Sequence, residues 1–499
     1  MAARFERVDP FLGTELRRCP SPRGLAASWW WPKPQIGNTH PGATFPFGMV
    51  SACAYSGAYP TGYGRYDLTT EGVPPVIHDR QLASGGFTHF QQSGTGAIRK
   101  YYNYFRATPM LEPPRCARPH LGPRRRAGRA GGAVCRDSRQ RHPCRAHGRP
   151  KSAVHRYTFP KHRNARIVVD FSMGGLTIPY GSTIPLRAHL ETLGPGVARG
   201  EIVVEGTPLA VHLECDTPPV AADALVRSPP HAGRHPARFR PHPAHDAAEL
   251  RVDVGGPPVE AGQTIELRLG FSLRGTHQAR ENLVRDCGTG PARFAHRRER
   301  TAKTWKKHLQ AIRVDTPDDD RQTVFSTALF HSLVKPCLAP DESPFWPTPG
   351  PFAFDLSTMW DIYRTQLPLV TTLFPPDRAV ELANALLTIC EEEGNFPIGY
   401  RMARGSDRFS RQGSALVHTF LADLCQLGVD GIDWDWALVH MHNDLRRTYG
   451  EDFLLRGVAH PPISTPSTSR SGTGARRRSP GGSATCRSPR SSRRSPRGG

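Results

Sequence analysis

The feature that most constrains the fold of this chain is a change in sequence pattern near residue 280. Before it, short apolar runs alternate with Gly- and Pro-bearing turns, which is typical of strands joined by loops. No long helical pattern precedes this point. The sequence therefore predicts an antiparallel β-sandwich for the first half. Its clearest predicted strands are Asn164–Met173, Gly200–Gly206, Ala248–Gly256 and Gln263–Gly275.

The second half has helical periodicity, beginning near Ala279. A connecting helix is expected over Ala302–Ile312, because its apolar residues recur at helical spacing. Further helices are expected over Val324–Pro336, Asp377–Asn395, Ser414–Gly428 and Asp433–Gly450. Asp377 and Asp433 are the expected N-caps, and glycines follow the helix ends. Helix pairs joined by short loops indicate antiparallel hairpins, as in a bundle or an α/α barrel.

The stretch Phe354–Leu369, FDLSTMWDIYRTQLPL, carries the densest cluster of aromatic, charged and hydroxyl side chains. Trp360, Asp361 and Arg364 fall within about one helical turn, so they are expected to face the same space. An indole face, a carboxylate and a guanidinium together suit a sugar, whose ring stacks and whose hydroxyls form hydrogen bonds.

Three simpler interpretations of the same residues stay open. Thr358 and Asp361 fit a capping box, which needs no ligand. Asp361 and Arg364 fit an intrahelical ion pair worth about 0.2–0.5 kcal/mol. Trp360 fits a core position.

The net charge of +22 at first suggests a nucleic-acid or membrane partner. The charge lies mostly in two tracts, however. Between Pro113 and Pro150 there are eleven arginines against one acid, and after His460 there are nine arginines and no acid. Both tracts lack aromatic side chains for base stacking, which argues against an arginine-rich RNA-binding arm. We therefore expect no nucleic-acid partner.

The composition of these tracts, rich in Arg, Pro, Gly, Ala, Ser and Cys, favours disorder. It is also what a GC-rich gene gives when read out of frame. We interpret residues 113–150, roughly 218–248, and 459–499 as aberrant segments, the last a disordered basic tail.

Cysteine spacing predicts neither a disulfide framework nor a zinc site, since no CxxC pair is present. No apolar run reaches the roughly 18 residues of a membrane span, so no membrane partner is expected. The segment MAARFERVDPF lacks the apolar core of a signal peptide. As written, the sequence predicts a cytoplasmic protein.

Three phrases stand out in the first half: VDPFLGT (Val8–Thr14), GNTHPGATFPFGMV (Gly37–Val50) and GGFTHFQQSGTG (Gly85–Gly96). The glycines and prolines of the second indicate a tightly turned loop whose backbone comes close to whatever it faces. Taken one at a time, each histidine in these loops is more simply an ordinary loop or core residue.

With WDIYR (Trp360–Arg364), FSTALFHSLVKP and EEEGNFPIGY, these phrases resemble glycoside hydrolase family 92, the calcium-dependent exo-acting α-mannosidases. The resemblance implies an N-terminal β-sandwich packed on an (α/α)6 barrel, with the sugar bound where the two meet. A trehalase or glucoamylase relative would share the helical half, but it would not explain GNTHPGATFPFGM.

The resemblance implies hydrolysis of α-linked mannose of glycans with inversion, which uses an acid and a base about 6.5–9.5 Å apart. It also implies calcium, which takes oxygen ligands. The residues that match its sugar-binding phrases are Trp360, Asp361, Arg364, Gly37, Asn38, Thr88, His89 and Asn395.

The sequence leaves the family pattern near His460, before the phrases that carry the catalytic acid and base. We therefore expect an incomplete barrel, an inactive and poorly folded second half, and calcium ligands that are mostly missing. The catalytic residues stay unknown. A non-catalytic carbohydrate-binding protein is the alternative function. The predicted domains are residues 1–280 (sandwich), 281–312 (helical linker), 313–458 (partial barrel) and 459–499 (tail).

Overall fold

The structure is a computed structural model. It describes residues 7–13, 41–54, 66–69, 76–81, 86–90, 100–101, 104–111, 133–136, 143–162, 165–171, 176–177, 186–204, 207–215, 221–226, 250–255, 259–289, 294–356, 359–402, 405–406, 413 and 415–457. The chain divides into two compact units, Met1–Arg447 and Thr448–Gly499.

Strands dominate the described residues before Thr276. They are β1 (Ala43–Thr44), β2 (Ser51–Ala54), β3 (Tyr66–Thr69), β4 (Val76–Gln81), β5 (Phe87–Thr88), β6 (Lys100–Tyr101), β7 (Arg106–Met110), β8 (Ala133–Arg136), β9 (Pro143–Gly148), β10 (Ser152–Thr158), β11 (Arg166–Asp170), β12 (Leu176–Thr177), β13 (Leu186–Gly194), β14 (Val197–Val204), β15 (Thr207–Cys215), β16 (Ala221–Val226), β17 (Leu250–Gly255) and β18 (Thr264–Ser272).

Most of these strands form two seven-stranded sheets. The first has the spatial order β1-β2-β5-β7-β11-β17-β16, and the second has the order β13-β14-β15-β18-β10-β9-β8. Neighbouring strands pair antiparallel; in the second sheet, for example, Val154 of β10 lies opposite Arg268 of β18. The four segments predicted as strands coincide with β11, β14, β17 and β18 to within a few residues. The predicted antiparallel first half is confirmed.

The two sheets pack face to face through aromatic side chains. Phe105, at the start of β7, lies 5.8 Å from Phe271 of β18, measured between ring centroids. Phe90 meets the same Phe271 ring edge-on at 5.0 Å. These three side chains are at most 2% exposed. Each contributes about 1.5–3 kcal/mol by burial, so this interior holds the sheets together.

Helices follow from Thr276 onwards. They are α1 (Thr276–Cys287), α2 (Phe294–Leu309), α3 (Asp319–Ser332), α4 (Met359–Ile362), α5 (Gln366–Leu373), α6 (Pro376–Glu393), α7 (Leu416–Gln426), α8 (Trp434–Tyr449) and α9 (Glu451–Arg456). Four short strands lie between them: β19 (Cys337–Leu338), β20 (Ala353–Phe354), β21 (Tyr400–Arg401) and β22 (Gly405–Ser406). None of the described helices has both the length and the apolar character that a membrane crossing requires.

Three predicted helix starts are corrected by the structure. Helix α2 begins at Phe294 rather than Ala302. Helix α3 begins at Asp319 rather than Val324, because the Asp318 carboxylate accepts the backbone N–H groups of Asp320 and Arg321. Helix α6 begins at Pro376, with Pro375 as N-cap, so Asp377 lies in the first turn instead of capping it. There its charge still favours the positive end of the helix dipole.

Two other helix boundaries agree with prediction. Asp433 caps α8, because its Oδ1 accepts the Trp436 N–H at 3.0 Å. Gly394 ends α6 in the left-handed conformation, with φ of 90°, which glycine adopts without steric cost. Helix α6 packs against both α5 and α7, as expected of helical hairpins. Closure into an (α/α)6 barrel stays a prediction, as do the domain boundaries at 280, 312 and 458.

The predicted aberrant tracts are described only in part. Strands β8 and β9 lie within residues 113–150, and β16 lies within 218–248. The remainder of the 218–248 segment and all of 459–499 lie outside the described residues.

A buried carboxylate connects the second sheet to the helical half. Glu342, after α3, is fully buried and accepts from Ser272 Oγ at 2.6 Å and from the Leu273 N–H at 2.9 Å, both at the end of β18. It also accepts from Asn282 Nδ2 of α1 at 2.6 Å. Lys151 supplies the neutralising charge, with Nζ 3.2 Å from Glu342 Oε1. One side chain therefore fixes a sheet end, the first helix and the segment before β20.

Replacing Glu342 by alanine is expected to lower the free energy of unfolding by about 3–5 kcal/mol, because Lys151 would be left buried without its counter-ion. Urea denaturation of the full chain measures this. Glu260→Ala is the matched control. It removes an ion pair to Lys161 whose side chains are 74% and 75% exposed, and such pairs contribute about 0–1 kcal/mol. Equal losses for the two variants would contradict the role assigned to Glu342.

Candidate sugar-binding site

The Trp360 stretch begins on a short strand and continues as two helices. Strand β20 pairs with β19, Asp355 follows with φ of 58°, and α4 and α5 come next. Trp360 is half-buried, and Asp361 and Arg364 are exposed. Helix α4 ends at Ile362, so Arg364 lies in the turn before α5 rather than on the same helix as Trp360.

The structure tests two of the three simpler interpretations of this stretch. Asp361 and Arg364, both described, form no ion pair with each other; the Arg364 guanidinium lies 5.5 Å from the centre of the Tyr363 ring instead. Trp360 is not among the buried core residues of the described chain. Thr358, the expected cap, lies outside the described residues. The carboxylate of Asp361 and the guanidinium of Arg364 are therefore exposed to solvent.

A loop of the sheet half reaches the base of this stretch. Phe47 donates its N–H to the Leu333 carbonyl at 2.9 Å, and its own carbonyl accepts the Leu338 N–H at 2.9 Å. The Cys337 thiol donates to the Gly48 carbonyl at 3.2 Å. Since β19 carries Cys337 and Leu338 and pairs with β20, the end of the GNTHPGATFPFGMV phrase lies directly beside the start of the Trp360 stretch. Gly37 and Asn38 of the same phrase lie outside the described residues.

A buried ion pair lies at this junction. Lys335 Nζ donates to Asp355 Oδ2 at 2.7 Å, and it lies 3.0 Å from the Cys337 sulfur. Burial alone would lower the pKa of Lys335, but the Asp355 carboxylate and the Cys337 side chain together raise it above its usual value. The lysine therefore stays charged and holds Asp355 in its strained left-handed conformation.

Thr88 and His89 occupy the interior between the two sheets. Both have no exposed surface. His89 Nε2 lies 2.8 Å from His155 Nε2 on β10, and the Tyr157 hydroxyl lies 3.0 Å from His155 Nδ1. In this arrangement the two side chains belong to the packing of the sandwich. Their predicted contact with a sugar would need that interior to open, and it stays a prediction.

Burial controls the protonation of the two histidines. It lowers the pKa of His89 to about 3, with the backbone of Tyr104 and Phe105 acting in the opposite direction. Burial, together with the neighbouring His89, lowers the pKa of His155 well below its usual value. Both rings are therefore neutral near pH 7, so one ring nitrogen donates and the other accepts in the bond between them.

Asn395 lies in the loop after α6, on the other side of the Trp360 stretch. The Met359 N–H donates to the Ile398 carbonyl at 3.1 Å, and Leu356 and Tyr400 exchange backbone hydrogen bonds of 3.0 and 2.8 Å. Residues 394–400 therefore run alongside the start of α4. The Asn395 side chain accepts from Arg447 Nη1 at 3.4 Å. Asn395 thus lies in the loop whose Ile398 carbonyl accepts the N–H of Met359, the residue before Trp360.

The same loop positions an exposed acid. The Tyr400 hydroxyl donates to Glu393 Oε1 at 2.7 Å. Burial, reinforced by this carboxylate, raises the pKa of Tyr400 above its usual value. Tyr400 therefore remains protonated and anchors Glu393, a residue of the EEEGN phrase.

Sequence reasoning singled out Trp360, Asp361 and Arg364 but not the buried contacts at the start of the same stretch. No motif links Lys335, Asp355 and Tyr400. The only available signals were local: Lys335 precedes a proline at the end of a predicted helix, and Asp355 opens the Trp360 stretch.

Calcium does not fit the described part of the site. Among the residues that the structure describes, no three His, Cys, Asp or Glu side chains converge on a point where a metal ion could bind. Asp355 is already engaged by Lys335. Calcium takes six to eight oxygen ligands, so we derive no step through it. The calcium prediction itself is not tested by these residues.

A strand-built half and a helical half meet at the junction that leads into the Trp360 stretch. Residues 278–461 match the family model of the glycosyl hydrolase family 92 catalytic domain. The resemblance of this chain to glycoside hydrolase family 92 is thereby confirmed. No curated protein matches the chain.

Solved structures of the same family share the fold. The family GH92 α-mannosidase BT3965 from Bacteroides thetaiotaomicron aligns with a TM-score of 0.69 at 17% identity, covering 89% of this chain and 56% of that one. The family GH92 inverting mannosidase BT2199 from Bacteroides thetaiotaomicron VPI-5482 aligns with a TM-score of 0.66 at 18% identity, covering 92% and 59%. A further structure of BT3965 is a complex with mannoimidazole. The chain thus spans less than two thirds of the length of these relatives.

Acid is expected to destabilise the fold through the buried histidines. Unfolded histidine binds its proton near pH 6.5, whereas folded His89 does so only near pH 3. Between these values the unfolded state holds more protons, so stability falls as the pH is lowered.

Replacing His89 by glutamine should therefore reduce the dependence of the unfolding free energy on pH between 4 and 6, by up to about 1.4 kcal/mol per pH unit. Urea titrations at several pH values measure it. His277→Gln, at a side chain that is 86% exposed, is the matched control. An unchanged slope for His89→Gln would show that this ring takes up its proton in the folded protein.

Proposed function

We propose that this chain binds α-linked mannose of glycans at the Trp360 stretch, in the manner of an α-mannosidase-type glycoside hydrolase. The observation that carries the proposal is the junction of the 41–50 segment with β19, β20 and the start of α4. The Trp360, Asp361 and Arg364 side chains follow this junction within the next few residues of the chain. Trp360 would stack on the sugar ring, and Asp361 and Arg364 would bind its hydroxyls.

The family resemblance extends the proposal to chemistry. Inverting hydrolysis requires an acid that protonates the leaving oxygen and a base that activates water on the opposite face of the sugar. Calcium assistance belongs to the same resemblance. We assign the described residues to sugar binding, and none of them to the acid or the base. As an α-mannosidase-type protein, the chain is proposed to bind mannosides without turning them over. The alternative, a carbohydrate-binding protein without a catalytic role, rests on the same exposed trio.

Trp360→Ala and Asp361→Asn are each expected to weaken binding of methyl α-mannoside by about tenfold or more, because each removes one of few directional contacts. Isothermal titration calorimetry of the full chain measures the affinity. Asp435→Asn is the matched control, since Asp435 is also exposed and also lies in the first turn of a helix. Equal affinities for the wild type and both site variants would place the sugar elsewhere.

Metal removal should leave this binding intact. A chelator is expected not to change the affinity for methyl α-mannoside, since the contacts proposed for the sugar come from the side chains of Trp360, Asp361 and Arg364. An aryl α-mannoside incubated with the chain, with and without added calcium, should release no phenol. Calcium-dependent release by this chain would contradict the assignment of binding without turnover, and it would favour the enzyme over the non-catalytic alternative.

A further inference from the structure

Helix α8 contacts the Asn395 loop through two charged side chains. Asp444, which is 5% exposed, accepts the Phe396 N–H on Oδ1 at 2.9 Å. Arg447, one turn later on the helix, donates to Asn395 Oδ1 at 3.4 Å. These contacts fall on two consecutive residues of the loop, immediately after the end of α6.

The loop accommodates Arg447 because of the glycine at its start. Gly394 has φ of +90°, and a Cβ added there would lie 2.9 Å from Arg447 Nη1. The left-handed turn favours glycine, and the absence of a side chain at this position leaves room for the Arg447 guanidinium.

The charges around Asp444 show that it is held as part of a network. Burial raises the pKa of Asp444, while the Phe396 N–H, His418 and Arg447 act in the opposite direction. His418 Nε2 donates to the Met441 carbonyl at 2.9 Å and lies 3.8 Å from Asp444 Oδ2. Asp444 thus has two cationic or potentially cationic neighbours and a backbone donor. A buried carboxylate in such surroundings keeps one geometry, since moving it would leave its partners unpaired.

The other side of the loop lies against the Trp360 stretch. The Met359 N–H donates to the Ile398 carbonyl, and Tyr400 pairs with Leu356. The loop is therefore clamped between α8 and the segment that leads into α4. A shift at Phe396 would move Asn395 relative to Trp360, because only a few residues separate the two clamps.

We propose that Asp444 and Arg447 are positioning residues for sugar binding: without touching the sugar, they hold the Asn395 loop at the distance from Trp360 that a mannose unit needs. This inference rests on the proposed function, in which Asn395 and Trp360 contact the same sugar. It adds two residues of α8 that lie about fifty positions after the loop in sequence.

The test compares Asp444→Ala and Arg447→Met with Asp435→Ala, an exposed aspartate of the same helix. Two quantities are measured on the full chain: the affinity for methyl α-mannoside by calorimetry, and hydrogen exchange of peptides covering residues 394–400. Asp444→Ala should weaken binding by about tenfold, the cost of one charge-assisted hydrogen bond, and should accelerate exchange in that peptide alone. Asp444→Asn keeps an oxygen acceptor for the Phe396 N–H and should restore much of both. Asp435→Ala should change neither.

The two readouts separate the possible failures. Unchanged exchange at 394–400 in Asp444→Ala would overturn the positioning role. Accelerated exchange with unchanged affinity would show that the loop is held but does not serve the sugar, and would overturn the inference while leaving the proposed function standing. If the wild type does not bind methyl α-mannoside, both the proposed function and the claim that the loop serves sugar binding are overturned. The hydrogen-exchange data would still decide whether α8 holds the loop.

Discussion

The hydrogen bonds of the Glu342 carboxylate are the constraint on which the relation between the two halves of the protein depends. Its partners come from the end of β18, from α1 and from Lys151 beside β10. A buried ion pair of this kind is a weak source of net stability, but it permits few alternative arrangements. It fixes the path of the chain between α3 and β20. The Trp360 stretch follows from that path, since β20 leads directly into it.

The charged residues of the site form two sets, one buried and one exposed. Lys335 and Asp355 neutralise each other in the interior, where an unpaired charge would be costly. Asp361 and Arg364 are exposed and do not pair with each other. The buried pair therefore maintains the backbone conformation, while the exposed groups keep hydrogen-bonding capacity for a ligand. The Asn395 loop has a similar arrangement. The buried Asp444 carboxylate accepts the Phe396 N–H, and the polar side chain of Asn395 lies next to this residue in the loop.

The order of strands then helices could be predicted because period and turn residues are local properties of the sequence. The same holds for the Asp433 cap and the Gly394 helix end. The starts of α3 and α6 were misplaced because the prediction followed the apolar pattern, whereas the N-caps are Asp318, before the predicted start Val324, and Pro375, before the predicted start Asp377. Lys335, Asp355 and Asp444 could not be predicted as partners, because their contacts depend on tertiary packing across as many as 48 positions. Thr88 and His89 look like loop donors in sequence, and only the sheet packing shows that they are buried.

The central claim is that the 41–50 segment, the Trp360 stretch and the Asn395 loop surround one mannose unit. A photoreactive α-mannoside, irradiated with the full chain and followed by mass spectrometry of the labelled peptides, tests it most directly. The account predicts labels on peptides containing residues 359–364 and 394–400, with competition by methyl α-mannoside. Competable labels confined to other strands of the sheets would contradict it.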